Sequence, residues 1–172
     1  MKIERFEDLI VWQLSDQLQK EIFEFTSHPP ASRDFKYCDQ IRDSIRSAKR
    51  NAAEGFGRYY PKEFARFLRI TEGSLQETKN HLQDGLKQQY LSAECHERLK
   101  RLCLRAMKAN VRLIAYLRTA KAPEPFSNRK NPEHLENLEH LEHLEHLEHL
   151  EHFEHLENLE NPENPENPEN PN

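Results

Sequence analysis

The sequence predicts an all-α fold: an up-down-up-down antiparallel four-helix bundle followed by a disordered C-terminal low-complexity tail. Three observations carry this. Residues 1–122 hold four successive stretches with apolar residues at steps of three and four, and no window reads as a strand. Prolines, glycines and polar residues break these stretches at short connections, which suits antiparallel neighbours. From residue 123 onward the composition changes to short acidic repeats, a different kind of chain.

The first helix is expected from about Asp8 to Thr26, with Trp12, Leu14, Leu18, Ile22 and Phe25 along it. His28-Pro29-Pro30 stops it, because proline cannot continue a helix and biases the residue before it away from helical geometry. The second runs from about Asp34 to Glu54, with Tyr37, Ile41, Ile45, Ala48 and Ala52 on one face. Gly55 and Gly57 are expected to end it by adopting the left-handed conformation common at helix C-termini. The third opens at Pro61, a favoured first helical residue, and ends near Gly85 to Tyr90. Its stripe is Phe64, Phe67, Leu68, Thr71, Leu75, Thr78, Leu82 and Leu86. Ser92 is the expected N-cap of the fourth, whose apolar positions run from Leu99 to Leu117 before Pro123 and Pro125 stop it. Each stripe can be buried only against the others.

The charge divides the chain in the same place. Residues 1–122 carry 23 Lys+Arg against 16 Asp+Glu, a net of +7, while residues 123–172 carry 2 against 14, a net of −12. The overall −5 therefore averages a modestly basic globular part and a strongly acidic tail. Cys38, Cys95 and Cys103 show no CxxC spacing and leave one unpaired, which points to a reducing compartment and a cytoplasmic protein. The charged N-terminus does not read as a signal peptide, and no apolar stretch reaches the ~18 residues of a membrane span.

In the tail, EHL and close variants repeat from Glu133 to Leu159, and ENP follows. A three-residue period does not match 3.6, so the leucines spiral around a helix instead of forming a stripe. Seven of the ten histidines lie there. Imidazoles so dense can bind Zn²⁺ or Ni²⁺ weakly, but the plain reading is a solvated acidic segment.

The stretch NAAEGFGRYY, residues 51–60, admits three readings. A phosphate loop needs its glycines after a strand and before a helix, and neither GxGxxG nor GxxxxGK[ST] is present. A catalytic loop needs a nucleophile beside a base, and the stretch has no Ser, Cys, Lys or His. A structural corner fits every residue, with Gly55 and Gly57 turning the chain and Glu54 paired to Arg58.

With the corner, the segments FEDLIVWQ (6–13), QIRDSIRSAKRNAAEGFGR (40–58) and EFARFLRITEGSLQE (63–77) resemble one bacterial family. It is the family of four-helix proteins encoded in intervening sequences of 23S ribosomal RNA genes, to which the accessory variability proteins of diversity-generating retroelements look related. The resemblance covers about residues 3–118, with departures at Lys49-Arg50 and Thr71-Glu72; the tail has no counterpart. It implies a left-handed bundle that forms a ring-shaped homopentamer, no enzymatic activity, and, from the retroelement relatives, binding of RNA and of a reverse transcriptase through a basic surface.

The basic residues are ordered. On the fourth helix Arg98, Arg101, Arg105, Lys108 and Arg112 fall within about 80° of arc. Arg42, Arg46, Lys49 and Arg50 form a band on the second, and Lys62, Arg66 and Arg69 lie opposite the third helix's stripe. Arginine's planar fork suits phosphate, so these are candidate contacts to an RNA or DNA backbone. The bland alternative is a solvated face. Gly73-Ser74 lies mid-helix on the wheel's outer side, where glycine costs about 1 kcal/mol. With Glu63, Ile70 and Glu77 it is a candidate subunit contact. No cofactor or metal is expected: a di-iron bundle needs Glu-x-x-His pairs, and the globular part has none. His81 and His96 read as surface histidines. The function expected is a non-enzymatic, self-associating bundle that binds structured nucleic acid. The competing class is a structural or protein-interaction module, such as a reverse-transcriptase accessory protein.

Overall fold

The computed structural model describes residues 3–58 and 60–120. Four helices follow in order: α1 (Ile10–Thr26), α2 (Phe35–Phe56), α3 (Pro61–Lys87) and α4 (Ala93–Thr119). Short 3-10 turns, Phe6–Asp8 and Ala31–Arg33, precede α1 and α2, and the described residues contain no strand. The acidic repeats and their histidines lie outside the described residues.

Local chemistry sets the helix starts. Asp8 stays out of α1 because its carboxylate accepts from the backbone N–H groups of Glu4 and Arg5, both at 3.0 Å, and so closes the preceding turn. Asp34 caps α2 by accepting from the Tyr37 N–H at 3.0 Å, and Ser92 caps α4 by accepting from the Cys95 N–H at 3.2 Å. Pro61 is the first residue of α3. α1 stops at Thr26, just before the cis Pro29–Pro30 peptide.

The glycines act differently from the expectation. α2 continues through Gly55 to Phe56, and Gly57 follows with φ −70°, so neither uses the left-handed region. Gly55 is instead buried against α3: a β-carbon on it would stand 2.6 Å from Phe64 Cδ2 and 2.9 Å from Phe67 Cβ. It is needed for close approach, not for a turn. Among the described residues the left-handed one is Gln89, at φ 59° after α3.

Pairwise contacts fix the topology. Tyr37 meets His81, Ser44 meets Thr78, and Ser47 meets Ser74, so α2 and α3 run antiparallel. Cys103 reaches the Leu75 carbonyl and Asn110 the Leu68 carbonyl, so α3 and α4 do too. Asp16 with Lys49 and Thr26 with Arg42 set α1 against α2 in the same sense. Arg98 of α4 pairs with Glu21 of α1 and closes the circuit.

Leu18, Ile22, Ile41, Ile45, Leu68, Leu75, Leu82 and Leu99 are fully buried. Each such side chain contributes about 1.5–3 kcal/mol of transfer free energy. Small polar residues line the α2–α3 seam and satisfy one another, Ser44 with Thr78 at 2.8 Å and Ser47 with Ser74 at 2.9 Å. His96 is not a surface histidine: it lies on the buried face of α4 with 4% exposure. His81 is partly buried and stacks edge-on against Tyr37.

Candidate nucleic-acid interface

α4 buries Leu99, Leu102, Cys103, Ala106, Asn110 and Leu113, which turns the opposite side outward. Arg101 and Arg105 are exposed there, with Lys108 and Arg112 half-buried along the same line. Arg101, Arg105 and Lys108 make no hydrogen bond or ion pair with any described residue. From Arg98 to Thr119 the helix carries seven Lys+Arg and no Asp or Glu. Arg101, Arg105 and Lys108 therefore form a line of cations on the outer face of α4 with no acidic partner among the described residues. Arg98 stands at its edge, bound to Glu21 of α1, with its other nitrogen 3.7 Å from Cys95 Sγ.

The α2 band divides. Arg42 donates to Thr26 Oγ1 at 2.8 Å and to Ser27 Oγ at 3.2 Å, and Lys49 pairs with Asp16 at 2.8 Å. Both are committed to holding α1 against α2. Asp16 answers two lysines: burial alone would raise its carboxyl, but hydrogen bonds from Lys20 and Lys49 outweigh that and hold it below its ordinary value. Arg46 and Arg50 remain exposed and without acidic partners among the described residues. Arg42 and Arg46 both lie over the Phe23 ring, at 4.9 and 4.6 Å, and Lys49 lies over Trp12 at 5.3 Å.

On α3, Arg66 pairs with Glu63 at 3.3 Å and lies over Phe67 at 4.7 Å, while Arg69 is exposed and unpaired among the described residues. The corner holds the expected Glu54–Arg58 ion pair, and Arg58 covers Phe67 as well, at 4.6 Å. Of the group around Gly73, the glycine faces open space, with nothing within 4 Å of a β-carbon built on it. Ile70 is 42% exposed, and Glu63 and Glu77 are also on the surface. Ser74 departs from that group: it is buried and its hydroxyl is engaged with Ser47 of α2.

Buried thiols are unsuited to nucleophilic chemistry. Burial pushes the Cys103 thiol up to about 12 and raises Cys38 as well, so thiolate is scarce at neutral pH. Among the described residues no group of three or more His, Cys, Asp or Glu is placed to hold a metal ion, and no helix is long and apolar enough to cross a membrane.

A family model described as 23S rRNA-intervening sequence protein matches residues 7–111. The chain belongs to that family. The matched segment of the chain spans α1 to α3 and most of α4, including Arg101, Arg105 and Lys108; Arg112 and Arg118 follow it. No curated protein matches the chain.

Reading helices one at a time grouped the cations by face but missed what lies beneath them. Phe23 falls five residues after Leu18, about 140° away from it, and lies off the Leu14, Leu18 and Ile22 stripe. An aromatic so placed on a polar flank was the available sign that arginines from α2 would cover it.

Proposed function

We propose that this family member is a non-enzymatic, self-associating bundle in the cytoplasm that binds the phosphate backbone of structured RNA or DNA through the outer face of α4. The supporting observation is that Arg101, Arg105 and Lys108 stand in line and outward, unpaired among the described residues, on a helix segment free of acidic residues. Spacing of four, three and four residues carries the line about 16 Å to Arg112. No base-reading motif accompanies it, so binding is backbone-driven and salt-sensitive. Arg50 and Arg69 are secondary contacts. Self-association is assigned to the outer face of α3, where exposed Ile70 sits beside the open Gly73 and Glu63 and Glu77 supply charge; five copies in a ring would repeat the α4 line around one assembly. The second reading, a protein-interaction module serving a reverse transcriptase, draws on Arg58, Arg66 and Arg98, whose charges already have acidic partners.

Sedimentation velocity of the full chain, with and without a labelled RNA hairpin at low and moderate salt, tests this. An oligomer that carries the hairpin and releases it as salt rises supports the reading. Phosphate contacts from Arg101, Arg105 and Lys108 on a duplex would give a slope of log K against log[salt] of about −2.7. An oligomer that ignores RNA at low salt leaves the protein-interaction module.

A further inference from the structure

The α1–α2 face is cationic too, but its chemistry differs from that of α4. Between Arg101 and Arg112 there is no aromatic residue. On α2, Phe35 is 79% exposed, the most open of the large apolar side chains among the described residues. Arg42 and Arg46 follow seven and eleven residues later, on the same face of the helix.

Arg42 and Arg46 share the Phe23 ring of α1. Arg42 is pinned by Thr26 and Ser27, so its role is packing. Arg46 has no hydrogen bond or ion pair with any described residue and is exposed. One side of its guanidinium rests on Phe23, and it is not held by an acid. A guanidinium plane supported by a ring is a platform on which a nucleobase stacks, as an open phenyl ring is. Asp39, one turn from Phe35, and Asp43, one turn from Arg46, are exposed about 40° and 80° round α2 from Phe35, on the edge of the face farther from α1, and repel phosphate on that flank. They leave the α1 side of the face as the path for a polyanion.

We infer that the Phe35–Arg46 face binds an unpaired nucleic-acid strand by stacking, one base on Phe35 and another on Arg46. The platforms are about 16 Å apart along the helix, with the cationic Arg42 between them. The inference rests on the nucleic-acid reading above but uses other residues and another interaction, so the two can fail separately. An acidic peptide is the alternative occupant of such a surface, and it would need charge without planarity.

The test measures fluorescence anisotropy of labelled oligothymidine and of a labelled duplex hairpin with the full chain at low salt. Arg46→Lys keeps the charge and removes the plane; Phe35→Ala removes the ring. Each is expected to weaken oligothymidine binding about five- to tenfold, with the salt slope unchanged and hairpin binding within about twofold of the parent. Arg101→Gln with Arg105→Gln is expected to weaken both probes and to lower the slope. Oligothymidine binding that survives Arg46→Lys and Phe35→Ala within twofold overturns the stacking inference and leaves the α4 reading standing. Equal displacement of oligothymidine by polyglutamate of matched charge also overturns it, in favour of an acidic peptide. A parent chain that binds neither probe overturns both readings.

Discussion

Gly55 of α2 and Phe64 of α3 meet so closely that a β-carbon on the glycine would lie 2.6 Å from Phe64 Cδ2. That approach, with Phe67 Cβ at 2.9 Å, seats the end of α2 on the start of α3 and orients the corner that carries Arg58.

Gly55→Ala should therefore destabilise the bundle. Alanine gains about 1 kcal/mol of helix propensity over glycine, but forcing a methyl group into a packed seam costs about 1–3 kcal/mol, and the Phe64 ring and the Phe67 β-carbon leave little room to yield. The expected net is a loss of up to about 2 kcal/mol. Gly73→Ala is the matched control. Its methyl group meets no atom of its own chain, so Tm should rise when measured at concentrations too dilute for self-association. Thermal unfolding of the two variants checks the pair, and a rise for Gly55→Ala would refute the close approach.

Two classes of basic residue should separate by assay. Each charge removed from Arg101, Arg105 or Lys108 should lower the salt slope of duplex binding by about 0.9 and leave Tm nearly unchanged. Arg42→Gln should do the opposite, lowering stability by about 1–2 kcal/mol, because the Thr26 hydroxyl and the Phe23 ring lose their cover. Denaturant melts and salt titrations on the same variants would distinguish them.

Acid should unfold the protein partly through Asp16. Its carboxyl is held below its ordinary value of 3.8, against burial, by Lys20 and Lys49. A carboxyl lowered in the folded state contributes stability that is complete above its unfolded value and is lost as pH falls through the folded one. Asp8 and Asp34, lowered mainly by backbone hydrogen bonds, act in the same direction. Asp16→Asn should lower Tm at neutral pH and flatten its fall below about pH 4. A Tm–pH curve parallel to the parent's would contradict this.

Thiol reactivity should rank the three cysteines. Cys95 is half-exposed on the first turn of α4, whereas Cys38 and Cys103 are buried and raised by burial. Iodoacetamide should label Cys95 first, and Cys103 should react at a rate set by unfolding. Mass mapping over time would show the order, and early labelling of Cys103 would mean that the α3–α4 seam opens.

Helix number, order and the starts of α2, α3 and α4 were legible because their causes are local, whereas α1 starts at Ile10 and not near Asp8 because the Asp8 carboxylate closes a separate turn. The spacing of Leu18 and Ile22, the proline at 61 and the caps at Asp34 and Ser92 act within a few residues of themselves. Gly55 was misread because a glycine near a helix end looks alike whether it turns the chain or admits a ring from another helix. His96 was misplaced because its burial depends on how α4 sits against its neighbours.

The sequence alone determined an antiparallel four-helix protein with arginines gathered on helix faces, since periodicity and sign of charge are properties of single segments. Only the tertiary structure decided which of those arginines are available. On a wheel, Arg42 and Lys49 look like Arg101 and Arg105. In the bundle Asp16, Thr26 and Phe23 of α1 engage the first pair, and the second pair points away from every neighbouring helix. A cation's availability depends on which groups stand across the groove, and the fold alone brings those residues together.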